Sequence, residues 1–189
     1  SNTATTKSWN GTSWYEVNDM VSATRQMGST GTQTAALAFG GETPGAAVAD
    51  KTELWNGAIW TETSDMSVAR NSLAGAGTQT SGLAIAGNPP FLALTEEWNA
   101  DFAYGVWATG GNLNTAREAL AGAGTSRSSA LAFGGNNPTP ATVGLTEKYN
   151  GTAWAELNDM NEGRNRLAGC GTVTSALALG GSPANTPTR

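Results

Sequence analysis

A unit of about 46 residues recurs four times, and nothing else in the chain restricts its fold as strongly. Tryptophan stands at Trp14, Trp60, Trp107 and Trp154, at intervals of 46, 47 and 47 residues. A Gly-Thr pair follows 17 residues after each, beginning at Gly31, Gly77, Gly124 and Gly171. A doublet ending in glycine closes each unit: Gly40-Gly41, Ala86-Gly87, Gly134-Gly135 and Gly180-Gly181. A period of this length specifies a solenoid or a propeller, in which no unit buries its apolar faces alone.

Within a unit the pattern is that of strands. Leu120-Ala-Gly-Ala-Gly-Thr125 is followed by Ser129-Ala-Leu-Ala-Phe-Gly-Gly135, where Leu131 and Phe133 point one way and Ala130 and Ala132 the other. Both faces are apolar, so both must be covered by neighbouring sheets. Thr146 to Tyr149 then leads through Asn150-Gly151, a strong hairpin turn, into Ala153 to Leu157. Asn-Gly recurs at Asn10-Gly11 and Asn56-Gly57. Each unit reads as four short antiparallel strands with no helical periodicity. The small-residue strand is innermost, where units crowd together, and the aromatic strands lie nearer the rim.

Composition excludes several classes of function. The chain has 189 residues and a formal charge of −5, which leaves no electrostatic footprint for nucleic acid. There is no histidine, so the commonest general base and transition-metal ligand are both missing. The single Cys170 excludes an internal disulfide and a thiolate metal cluster. No cofactor or metal is expected. No stretch approaches the roughly 18 apolar residues of a membrane span, so no membrane insertion is expected. No signal peptide is visible, and the missing initiator methionine suggests a processed product or an excerpt. The low charge and the Thr-, Ser- and Asn-rich surface suit an extracellular or virion protein.

The order Gly134-Gly135, Tyr149, Trp154, Arg164, repeated along the whole chain, resembles the kelch family of β-propellers. The aromatic-to-tryptophan gap of five residues (Trp9 to Trp14, Trp55 to Trp60) is shorter than usual for kelch units, and Ala86 replaces one glycine. The style is similar to kelch-type repeats of environmental phage and bacterial surface proteins. That resemblance implies a propeller of four-stranded blades. Galactose oxidase shares the blade type, but its copper chemistry needs histidine and a further cysteine, which this chain lacks.

The sequence starts with third and fourth strands (7–17) and ends with first and second strands (164–181), around three full blades at about 24–64, 70–109 and 117–157. The two halves sum to one blade. The expected fold is therefore an all-β, four-bladed propeller within one domain, 1–189, closed by a two-plus-two strand clasp between the termini. An excerpt of a longer array and an eight-bladed ring shared by two chains are the alternatives.

The Asp-Met turns (Asp19, Asp65, Asp159) and the arginines (Arg70, Arg117, Arg164) share one rim and read as turn capping with inter-blade Asp–Arg pairs. Thr24 takes the arginine position in the first unit, with Arg25 one residue later. Glu53, Glu96 and Glu147, with Lys7 in the fourth slot, read as strand-edge charges, and Cys170, aligned with Ala76 and Ala123, as a small core residue. The tryptophans read as blade-to-blade packing. The best site candidate breaks the symmetry: an extended hairpin at 99–105 bearing Asp101, Phe102 and Tyr104. Phe91 and Leu92, in the short loop after Pro89-Pro90, come second. Asn10 and Asn150 head N-glycosylation acceptors (Asn-Gly-Thr) on hairpin turns. No catalytic residues stand out. The expected function is a non-enzymatic binding or structural module, a surface or virion component for adhesion, glycan or host recognition, or assembly. Its partners are a glycan or protein surface, and a homo-oligomer or larger assembly is compatible. A carbohydrate-active enzyme using acidic residues and a purely architectural filament or capsid subunit are the alternatives.

Overall fold

The alternation of large and small apolar residues forms strands in the computed structural model, which describes residues 2–101, 104–139 and 141–183. There is no helix among the described residues. The chain opens with a hairpin, β1 (Thr6–Trp9) and β2 (Trp14–Val17). The first full unit holds β3 (Gly28–Thr32), β4 (Ala35–Phe39), a small ribbon β5 (Glu42–Thr43) and β6 (Ala47–Val48), then β7 (Thr52–Trp55) and β8 (Trp60–Glu62). The second holds β9 (Ala74–Gly77), β10 (Ser81–Ile85), β11 (Thr95–Asn99) and β12 (Val106–Thr109). The third holds β13 (Ala121–Ser126), β14 (Ser129–Phe133), β15 (Thr146–Tyr149) and β16 (Trp154–Glu156). Last come β17 (Arg164–Asn165), β18 (Ala168–Thr172), β19 (Ser175–Leu179) and β20 (Ser182–Pro183).

Each full unit is one antiparallel sheet in sequence order: β3-β4-β7-β8, β9-β10-β11-β12 and β13-β14-β15-β16. The first strands β3, β9, β13 and β18 pack side by side in succession. Glycine is required there by close approach. A Cβ on Gly122 would lie 2.6 Å from the Gly75 carbonyl oxygen, and one on Gly169 would lie 2.6 Å from that of Gly122. Gly75 meets the Ser29 carbonyl in the same way.

The core lies between sheets. Leu37 and Phe39 of β4 pack with Leu73, Ala84 and Trp98 of the next unit. Leu83 and Ile85 of β10 face Ala130 and Ala132 of β14, and Leu131 and Phe133 meet Leu167 and Ala178. The large face of one sheet thus rests on the alanine face of the next, each buried Leu, Ile or Phe contributing about 1.5–3 kcal/mol.

Two further links repeat from unit to unit. Indole Nε1 of Trp60, Trp107 and Trp154 donates to the hydroxyls of Thr6, Thr52 and Thr95 in the preceding unit, at 3.1, 3.0 and 3.0 Å. Just before the first strands, the amides of Ser72, Ala119 and Arg166 donate to the carbonyls of Gln26, Ser72 and Ala119, at 2.8, 2.8 and 2.7 Å. All four residues are left-handed, with φ of 54, 53, 53 and 51° along the chain.

The expected two-plus-two clasp is not formed. β1-β2 and β18-β19 each remain two-stranded, with no ladder between them. Trp14, 67% exposed, does not reach Thr146, the threonine that would continue the series, and no bond from the Gln26 amide to the Arg166 carbonyl continues the backbone series. Leu177 and Leu179 are 61% and 49% exposed, whereas Leu131 and Phe133 are buried. Cys170 is likewise exposed rather than a core residue. The physical reason lies in the seam residues. Lys7 stands where the other third strands carry glutamate, and Ser29 stands where the other first strands carry glycine. A serine side chain does not fit the backbone approach that Gly122 and Gly169 make.

Candidate functional site

The arginines and glutamates form the main polar network, and it differs from the sequence reading. Glu53, Glu96 and Glu147 are buried rather than strand-edge charges. Arg70 pairs with Glu96, and Arg117 Nη2 donates to Glu147 Oε1 at 2.8 Å, both pairs fully buried within one unit. Burial pulls both guanidinium groups below their usual value, while the glutamates oppose it. Each glutamate also anchors the turn entering its unit, accepting from the Ser67 amide at 2.8 Å and the Asn114 amide at 2.7 Å. In the first unit Thr24 replaces the arginine, and Glu53 accepts instead from the amides of Val21 and Ser22, both at 2.9 Å. Arg25 turns to Glu42.

The aspartates do not pair with these arginines. Asp19 and Asp159 accept from the amides of Thr6 and Thr146 at 3.3 and 3.2 Å, and so cap the starts of third strands. Asp65 pairs with Lys51 at 3.0 Å and holds its ammonium above the usual value. These aspartates fasten turns to strands.

The extended hairpin is built on Trp98. The Trp98 ring lies against Gly105, which has φ of 62° and no room for a Cβ. The Tyr104 carbonyl accepts from the hydroxyls of Thr63 and Ser64, tying the hairpin to the preceding unit. Tyr104 itself is 80% exposed. Asp101 is exposed and its amide donates to Asn99 Oδ1 at 3.0 Å. Phe102 lies outside the described residues. Phe91 and Leu92 are half-buried, and Leu92 bridges to Arg117 through its backbone. They precede β11 while Asp101 and Tyr104 follow it. A five-residue strand of about 16 Å therefore separates the two candidates, and they are not one site.

Asn10 and Asn150 are exposed, as a glycan acceptor requires, but each Oδ1 already holds its turn. The Asn10 oxygen accepts from the amides of Thr12 and Ser13 and the Asn150 oxygen from those of Thr152 and Ala153, all at 2.9 Å. The amide nitrogen that would carry a glycan is not used in those bonds.

Sequence reasoning does not single out one group of four residues from successive units. Gln26, Ser72, Ala119 and Arg166 surround a cavity of about 480 Å³, together with Glu42, Asn71, Asn88 and Glu118. A second cavity of about 470 Å³ is lined by the small residues of the four first strands. Only the spacing of 46, 47 and 47 residues marks the four left-handed positions, because the work is done by backbone atoms and the side chains differ.

No family model and no curated protein matches the chain. Among solved structures it is similar to one described as "Structure of YjhT", with 11% identity and a TM-score of 0.79. The match spans 95% of this chain and 69% of that one. At this identity the likeness concerns fold alone, and the chain is similar to YjhT in its all-β arrangement of repeated antiparallel sheets.

Proposed function

We propose that the repeated sheets are blades of a propeller-type, kelch-like array and that the chain is a non-enzymatic binding module of an extracellular or virion surface. The observation that carries this reading is the hairpin ending at Tyr104. It departs from the repeat, it is anchored by Trp98, Thr63 and Ser64, and it presents Tyr104, a residue 80% exposed. An aromatic ring held on a rigid support suits stacking on a sugar or packing on a protein surface. The buried carboxylates support the reading as well, since Glu53, Glu96 and Glu147 are all engaged in holding turns.

The test is a glycan array and a pull-down with the chain and with Tyr104→Ala. Binding that is lost in the variant while its melting temperature stays unchanged supports the module. Absence of any ligand together with measurable hydrolysis of a polysaccharide overturns it in favour of a carbohydrate-active enzyme. The uncovered β19 favours a second reading, an architectural subunit of a filament or capsid. Large assemblies in a solution mass measurement would support that reading, and a clean monomer would count against it.

A further inference from the structure

The fourth unit holds a guanidinium prepared for a carboxylate that β1 does not supply. Arg117 shows the complete arrangement: Nη1 donates to the carbonyls of Gly134 and Leu145 at 2.9 and 2.8 Å, and Nη2 donates to Glu147. Arg164 repeats the first of these bonds, with Nη1 on the Gly180 carbonyl at 3.0 Å. The other two acceptors belong to a third strand and the residue before it, which β19 lacks. Among the described residues Arg164 has no carboxylate partner, and its Nε is buried without an acceptor, as are those of Arg70 and Arg117.

The ladders define what the missing strand must carry. On β14, Phe133, Ala132, Leu131 and Ala130 pair with Thr146, Glu147, Lys148 and Tyr149. On β10, Ile85, Ala84, Leu83 and Gly82 pair with Thr95, Glu96, Glu97 and Trp98. On β4, Phe39, Ala38, Leu37 and Ala36 pair with Thr52, Glu53, Leu54 and Trp55. Carried to β19, the pattern puts Thr opposite Leu179, Glu opposite Ala178, any residue opposite Leu177 and an aromatic opposite Ala176. The chain's own β1 reads Thr6-Lys-Ser-Trp9, which satisfies the first and last positions and puts an ammonium where the guanidinium needs a carboxylate. A second copy of the chain offers the same lysine.

We propose that the free edge of β19 is a docking site for an added extended strand other than β1, of the pattern Thr-Glu-x-Trp/Tyr, laid antiparallel with its glutamate on Arg164. Strand addition of this kind takes its affinity from main-chain bonds and its specificity from alternate side chains. Here the selecting element is the charge opposite Ala178, so Lys7 acts against self-closure.

The experiment uses the whole 189-residue chain and three synthetic peptides. These are residues 146–156, the same peptide with Glu147→Lys, and residues 6–16. Affinities are read by fluorescence polarisation. The expected result is that 146–156 binds at least tenfold more tightly than the other two. In the Arg164→Ala chain that preference should fall below threefold. Changing the peptide leaves the protein untouched, so the comparison stands even if the arginine variant folds poorly. Equal affinities for the three peptides, no binding of 146–156, or a chain that dimerises by laying β1 on a partner's β19 would each overturn the proposal.

Discussion

The Glu147→Gln substitution tests the reading of the buried network quantitatively. Arg117 and Glu147 are fully buried, so removing the carboxylate charge leaves a guanidinium without its counter-ion in the interior. Breaking a buried pair from one side costs about 3–5 kcal/mol. Two carbonyl acceptors on Arg117 Nη1 survive, at 2.9 and 2.8 Å, and the new amide can still accept through its oxygen. The lower end, about 3 kcal/mol, is therefore expected, since part of the solvation lost by the cation is retained. For a domain of this size that corresponds to roughly 6–12 °C in melting temperature. Urea unfolding followed by tryptophan fluorescence provides the assay, with the slope checked because stacked units can unfold separately. The paired variant Arg117→Met with Glu147→Leu should recover most of the loss, because it removes both charges together. Asp65→Asn, which breaks the exposed Lys51 pair, should move the midpoint little. A Glu147→Gln midpoint no lower than that of Asp65→Asn, or a paired variant no better than Glu147→Gln alone, would refute the reasoning.

Trp154→Phe should cost about 1–3 kcal/mol in urea unfolding, because it leaves the buried Thr95 hydroxyl without the indole donor now 3.0 Å away. Ala119→Gly should stabilise the chain by about 1 kcal/mol, since an L-residue at φ of 53° is replaced by one that tolerates it. The Tyr149 phenol is pushed up to about 12 by burial, with its hydrogen bond to Glu97 adding to the effect. The unfolded phenol releases its proton first, near pH 10, so this contribution is fully present below that pH and is lost as pH rises towards about 12. Alkaline unfolding of Tyr149→Phe should lack that part of the slope, and an unchanged slope would contradict the assignment.

Much of this architecture is legible in the residues. The Asn-Gly turns, the alternation Ala-Leu-Ala-Phe and the periodic tryptophans mark strands, hairpins and sheet-to-sheet packing without coordinates. The chemistry of the glutamates is harder to read. An alternating strand places Glu147 on one face, but only the neighbouring unit decides whether that face is wet, and the partner of Arg117 lies 30 residues away in sequence. The backbone hydrogen bonds between units leave no trace in side-chain type, because Gln26, Ser72, Ala119 and Arg166 have only their backbone conformation in common. The open seam is a different case. Two half-units that sum to one argue for closure by counting, yet Lys7 and Ser29 depart from the repeat at the two registers where closure demands glutamate and glycine. Departures from a repeat at a predicted contact bear on closure more than an integral number of units does. For the site, Asp101 and Tyr104 stand where the extended hairpin places them, while Phe91 and Leu92 belong to the other end of β11.

Amide hydrogen exchange along β19 tests the open seam most directly. Alternate amides of 175–179, those facing away from β18, should exchange at close to unprotected rates while all amides of 130–133 in β14, which is paired on both sides, are slow. Uniform protection across 175–179 in the isolated, monomeric chain would mean that β1 has paired with β19, and the open arrangement would be wrong.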